Sequence, residues 1–172
     1  NAVLEERMAA LEGGVAGLAV ASGQAALHLG LATLAGAGSH VVSSRALYGG
    51  SHILLAYTLP RFGVETTFVD SSVEAYERAI TPATRVLYAE TPQNPTLGLL
   101  DLRGLAELAA ARGLTLVVDG TFATPFCQSP LALGALWLGT ERLLLLLGQD
   151  PATVALAHRY VVVQIPALPF FL

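Results

Sequence analysis

Leu114-Thr115-Leu116-Val117-Val118-Asp119-Gly120-Thr121-Phe122-Ala123-Thr124-Pro125 is the stretch that decides the fold. Its first five residues form a short, largely apolar run without the polar alternation of a half-exposed strand. Such a run reads as a strand buried on both faces. A carboxylate and a glycine follow at its carboxyl end. Upstream, Asp101 caps a predicted helix whose apolar positions are Leu102, Leu105 and Leu108, and Gly113 closes it. A helix feeding directly into a buried strand is half of a parallel crossover unit.

The same alternation extends toward the N-terminus. Arg85 to Ala89 reads as a strand, and Ser71 with Glu74 fits a capping box for a helix through Ile80. Val64 to Val69 is a strand. Tyr48 to Leu59 reads as a helix ended at Pro60, and His40 to Ser43 as a strand. Gly23 to Leu34 reads as a helix with Leu27, Leu31 and Leu34 on one face, ended by Gly36. Gly17 to Ala21 reads as a short buried strand. Leu4, Met8 and Leu11 have helical spacing that Gly13-Gly14 stops. Buried strands alternating with amphipathic helices predict an α/β fold, a mostly parallel sheet with helices on both faces. Ligands on such sheets sit at the carboxyl ends of the strands.

Composition narrows the function. The chain has 172 residues, is 53% hydrophobic and only 13% charged, and has a net charge of −4. An average soluble domain is about 25% charged, so apolar surface meant for a partner is expected. No basic stripe or aromatic ladder points to nucleic acid. The single Cys127 fits a reducing compartment and is most simply a small buried residue. The first residues have no signal-peptide pattern. The apolar run Tyr160 to Leu172 is too short for a membrane helix and carries Pro166 and Pro169. These features predict a cytoplasmic protein with no membrane segment. His28, His40, His52 and His158 lack metal-ligand spacing, so no metal is assigned. No Gly-x-Ser-x-Gly elbow and no Gly-x-Gly-x-x-Gly occurs.

Several strand-end residues have the chemistry to hold a ligand, each beside a plainer reading. Gly23 and Gln24 open a helix whose unpaired N–H groups and positive dipole end suit a phosphate. By themselves they are an ordinary strand-to-helix turn. Asp119 can pair with a protonated ring nitrogen or, equally, cap the following turn. Tyr48, before Gly49-Gly50, can stack on a flat cofactor or belong to the core. Asn94, in a segment flanked by Pro92 and Pro95, can reach a ring substituent or serve a turn. Glu90 is a strand-end carboxylate whose plain reading is a solvated charge or an arginine partner.

Taken together and in order, these stretches closely resemble the Cys/Met-metabolism family of pyridoxal-phosphate enzymes, which includes cystathionine gamma-synthase and lyases, methionine gamma-lyase and O-acetylhomoserine sulfhydrylase. The resemblance runs from about Val3 to Pro130. It rests on Leu11 to Gly14, Ser22 to Ala25, Ser43 to Gly50, Glu90 to Thr96 and Val117 to Pro125. His40 to Asp70 looks most like the sulfhydrylases, and Glu90 to Thr96 more like the lyases. The resemblance implies a truncated large, cofactor-binding domain of the aspartate-aminotransferase-like (type I) fold. It implies pyridoxal 5'-phosphate as cofactor, a small amino-acid substrate with a leaving group at the gamma carbon, and a homo-oligomer. It further implies that Gly23 and Gln24 hold the phosphate and that Tyr48 stacks on the ring and moves protons. Asp119, with Thr121 close by, would face the ring nitrogen, and Asn94 the ring hydroxyl, with Glu90 in the same wall.

The chain departs from that family at several points. Gly120 stands where the family has Asn. After Gly134-Ala135 the family continues to a Ser-x-Thr-Lys motif whose lysine carries the cofactor as a Schiff base. Here the sequence is Leu136-Trp137-Leu138-Gly139-Thr140-Glu141-Arg142, and every cationic side chain other than His is arginine. A guanidinium stays protonated and cannot take the role of that amine. Residues 1–135 are therefore expected to be a partial cofactor-binding domain. Residues 136–172, with five leucines at Leu143 to Leu147, are expected to be a divergent hydrophobic tail that is no domain of its own. Two other readings stay open. One is a non-catalytic remnant or interaction module of the family, and the other a nucleotide-binding α/β domain.

Overall fold

The computed structural model describes residues 2–14, 16–133 and 160–161. Its centre is a four-stranded sheet in the order β3-β2-β4-β5, with all three pairings parallel. The strands are β2 (His40–Ser44), β3 (Glu65–Val69), β4 (Thr84–Glu90) and β5 (Thr115–Asp119). A separate two-residue strand, β1 (Ala16–Gly17), pairs in parallel with β6 (Tyr160–Val161). The remainder of the tail expectation lies outside the described residues.

Two apolar clusters cover the two sheet faces, and successive strand residues alternate between them. In β4, Val86 and Tyr88 point into one cluster while Leu87 and Ala89 point into the other. The first cluster takes Leu27 and Leu31 from α2 (Gly23–Leu34), together with Leu54, Leu55 and Leu59. The second takes Ala75 and Tyr76 from α4 (Val73–Ala79) and Leu102, Leu105 and Leu108 from α5 (Leu102–Arg112). This is the predicted mostly parallel sheet with helices on both faces. The buried Tyr76 hydroxyl ties two strands together, donating to the Tyr88 carbonyl and accepting from the Ser44 N–H, both at 2.7 Å.

Local signals performed unevenly. The helix α1 (Ala2–Glu12) stops at Gly13, whose φ of 71° is left-handed and suits glycine. Asp101 accepts from the Gly104 N–H and Gly113 closes α5, as the sequence predicts. Four expectations need correction. The Gly17 to Ala21 strand is only Ala16–Gly17, because residues 18–20 find no ladder partner among the described residues. Ser72, not Ser71, caps α4, accepting from the Ala75 N–H, while Ser71 accepts from the Gln93 side chain. The helix expected over Tyr48 to Leu59 is α3 (Gly49–Ile53), running on as a π turn (Leu54–Thr58) and a 3₁₀ turn (Leu59–Phe62). Pro60 falls in the first positions of that last turn without ending the segment, and left-handed Gly63 ends it instead. Cys127, at the end of the short helix α6 (Thr124–Cys127), is exposed rather than buried. Its neighbour Phe126 is 96% exposed.

At the amino ends of the strands, His40 is buried, with its ring nitrogens 2.8 Å from Thr84 Oγ1 and 2.9 Å from Thr67 Oγ1. Burial pushes its pKa below the ordinary 6.5, with Glu65 opposing the shift. The unfolded chain therefore binds the proton more readily than the folded one. This contribution to stability is complete above pH 6.5 and is lost as pH falls through that value toward the lower folded pKa. Urea-unfolding midpoints should drop over that window in the native chain and drop less in His40→Gln; parallel profiles would exclude His40 as the source.

Candidate functional site

The parallel ladder puts the carboxyl ends of all four central strands on one rim. At its middle, Glu90 and Asp119 are register partners at the ends of β4 and β5, and the ladder runs one step further through the Thr91 N–H to the Asp119 carbonyl. Both carboxylates are buried. Asp119 Oδ1 accepts from the main-chain N–H of Thr121 at 3.0 Å and from the Thr121 hydroxyl. This turn fixes the carboxylate at the rim. The turn-capping contact that is the plainer reading of Asp119 is present, and it is compatible with a ligand role for the same carboxylate.

Glu90 is not a solvated charge, and among the described residues no arginine pairs with it. It is 4% exposed, Oε2 accepts from the Tyr48 N–H at 2.9 Å, and Oε1 accepts from the Asn94 N–H at 3.0 Å. Its pKa is raised, first by burial and further by the nearby Asp119, with the two N–H donors opposing the shift. The loop after β2 and the loop after β4 thus meet on one side chain. Asn94 lies in a turn that the Leu97 N–H closes on the Gln93 carbonyl at 2.7 Å. Gln93, which the sequence reading passed over, is buried beneath it and held to Ser71 at 2.6 Å.

Tyr48 is 51% exposed, so its ring belongs to the rim and not to the core. Gly50 shows how tightly that ring is seated. A Cβ built on Gly50 would lie 2.7 Å from Tyr48 Cε1 and 2.7 Å from Gln24 Nε2. Gln24 and Tyr48 therefore converge on the space that a side chain at position 50 would fill. Gln24 belongs to the first turn of α2, whose first four N–H groups lack helical partners. Ser22 Oγ satisfies one of them by accepting from Ala25, and the Ser22 carbonyl accepts the first helical bond, from Ala26. The N–H groups of Gly23 and Gln24 have no acceptor among the described residues.

A continuous path thus runs from Gly23 and Gln24 through Tyr48 and Glu90 to Asn94, Asp119 and Thr121. Beneath it, the Tyr88 hydroxyl and Ser51 Oγ are wholly buried and make no well-formed hydrogen bond among the described residues, although Ser51 lies near enough to oppose the rise in the phenol's pKa. Burial pushes the Tyr88 phenol well above its usual range, with Asp119 adding to the effect. Gly120 does not need to be glycine for its backbone, and a Cβ there would meet only Pro130 at 3.7 Å. An open cleft of about 260 Å³ lies elsewhere, between Arg45, Asp70 and Arg78, and no candidate from the sequence lines it. Among the described residues no cluster of His, Cys, Asp or Glu could hold a metal ion. None of the described helices is long and apolar enough to cross a membrane.

Chemically, the rim offers two free amides at the positive end of a twelve-residue helix, an accessible aromatic face and a fixed buried carboxylate. Those features fit an anionic group, a flat ring and a protonated ring nitrogen in turn. The family described as Cys/Met metabolism PLP-dependent enzyme matches residues 1–136. The L-methionine gamma-lyase of Fusobacterium nucleatum subsp. nucleatum is 50% identical over 134 residues, covering 77% of this chain and 34% of that protein. The O-acetyl-L-homoserine sulfhydrylase of Leptospira meyeri is 47% identical over 134 residues, covering 77% and 30%. The crystal structure of cystathionine gamma-lyase from Lactobacillus plantarum complexed with L-serine superimposes with a TM-score of 0.74 at 43% identity, covering 77% of this chain and 35% of that one. A putative O-acetylhomoserine (thiol)-lyase from Campylobacter jejuni gives 0.76 at 34% identity, covering 78% and 34%. The chain spans about a third of the length of these relatives.

Gly50→Ala should drive the Tyr48 ring and the Gln24 carboxamide apart while leaving the sheet intact. Nuclear Overhauser contacts between those two side chains should weaken strongly, with the cross-strand contacts of β4 and β5 unchanged. Undiminished contacts would mean that the rim absorbs a methyl group without moving.

Proposed function

The chain belongs to the Cys/Met metabolism PLP-dependent enzymes, and we propose that its residues 1–135 form the part of such an enzyme that grips pyridoxal 5'-phosphate. In this reading the whole protein acts on small amino acids carrying a leaving group at the gamma carbon, by elimination or replacement. The observation that carries the reading is the path of contacts joining the α2 N-terminus to the Asp119 carboxylate through Gln24, Gly50, Tyr48 and Glu90.

Each residue has one task. The Gly23 and Gln24 amides take the phosphate, which suits the helix dipole. The exposed Tyr48 ring covers one face of the pyridine ring, and its hydroxyl is the group that handles a proton near the substrate amine. Asp119, steadied by Thr121, holds the proton on the ring nitrogen. Asn94 faces the ring hydroxyl. When bound, the cofactor supplies an electron sink for carbanions formed on the substrate. The exposed Phe126, Leu97 and Leu99 suit a homo-oligomer. The single cysteine, exposed and free, suits the cytoplasm.

One specific observation favours a second reading for the 172-residue chain taken alone. It contains no lysine, so the groups that cradle the cofactor are present while the amine that would bind it covalently is not. By itself the chain would then be a non-catalytic module of the family that holds the cofactor reversibly.

Equilibrium dialysis against pyridoxal phosphate tests both readings. The native chain should bind, and Asp119→Asn should bind about 10- to 100-fold more weakly, the range for losing a hydrogen bond to a charged group. Borohydride should leave no covalent adduct on any tryptic peptide except the N-terminal one, whose α-amine condenses with any aldehyde. Equal binding by native chain and Asp119→Asn would refute the pocket, and a reduced adduct on any other peptide would refute reversible holding.

A further inference from the structure

We propose that Glu90 is a positioning residue, which joins the loops after β2 and β4 into one wall by accepting the main-chain N–H of Tyr48 on one oxygen and that of Asn94 on the other. The resemblance from sequence set Glu90 beside the cofactor without a task. The geometry gives it one. Its Oε2 and Oε1 lie 2.9 and 3.0 Å from those two nitrogens, which leaves the carboxylate turned toward the protein and not toward a ligand.

Elementary chemistry restricts which residue can do this. Among uncharged and charged side chains of this length, only a glutamate offers two acceptor oxygens with no donor. A glutamine of the same shape would set an NH₂ group against one of the two N–H groups. Burying a carboxylate is expensive unless it is hydrogen-bonded, and here the expense is increased by Asp119 on the next strand. None of the ion pairs among the described residues involves Glu90. Charge-assisted bonds to main-chain N–H groups are what offset that burial. Because β4 is an inner strand, paired with β2 as far as Tyr88 and with β5 through Glu90 itself, Glu90 is a rigid post. The Tyr48 and Asn94 loops, irregular in themselves, take their positions from it.

The consequence for cofactor affinity rests on the cofactor reading above, whereas the clamp itself does not. Two measurements separate them. In Glu90→Gln, amide hydrogen exchange at Tyr48 or Asn94 should accelerate about tenfold, with Val86 to Ala89 unchanged. Pyridoxal phosphate affinity should also fall about tenfold, and combining Glu90→Gln with Tyr48→Ala should cost less than the product of the single effects. Unchanged exchange at both amides overturns the clamp whatever the affinity does. Accelerated exchange with independent, multiplicative affinity losses overturns its role in placing Tyr48. If neither Tyr48→Ala nor Asp119→Asn changes affinity, the cofactor reading fails, while the exchange data still decide the clamp. Should Glu90→Gln not fold, Glu90→Asp, which keeps the charge but is one methylene too short to reach both loops, carries the same comparisons.

Discussion

The pairing of β4 with β5 is the interaction from which the rest of the rim hangs. It brings two carboxylates side by side at the end of a buried ladder, Glu90 opposite Asp119. Two anions placed so close in an apolar setting are unfavourable unless each is given donors. Asp119 draws its donors from its own turn through Thr121, and Glu90 draws its donors from two other loops. The demand for N–H groups at that point is therefore what organises the irregular segments around it.

That organisation has a direction. Burial of β4 on both faces anchors its end, because Val86, Leu87, Tyr88 and Ala89 are each fully buried in one cluster or the other. Tyr76 adds a tie between β2 and β4 just below the loop that carries Tyr48. An accessible tyrosine ring on a loop would ordinarily sample many positions. Here its main chain is held by Glu90, and its ring is packed beside Gln24 over the bare Cα of Gly50. A flat, half-exposed aromatic face thus stands beside a helix N-terminus.

Most of the fold was legible because its signals are local. Apolar runs at Val41, Val86 and Leu116 and glycines at positions 13 and 113 act within a few residues. Their outcomes match the expectations to within one or two residues. The failures have physical reasons. Ser71 has the capping-box partner Glu74 and Ser72 does not, yet Ser72 is the cap, while the Ser71 hydroxyl is engaged by Gln93 from another loop. Pro60 was read as a helix stop, yet the segment changes helical pitch at Leu54 and runs on through it. Glu90 looked like an ordinary strand-end charge, since nothing within ten residues of it announces Tyr48.

The sequence by itself determined the element order, the parallel sheet and the residue types at each strand end, because helix period, strand burial and capping are properties of neighbouring residues. It also determined that this chain carries no lysine amine. Which of those strand-end groups touch, and that Glu90 serves two loops rather than solvent, is fixed by the folded arrangement alone. Those contacts join residues up to 42 positions apart, and a separation of that size is closed by the packing of the sheet, which no local pattern encodes.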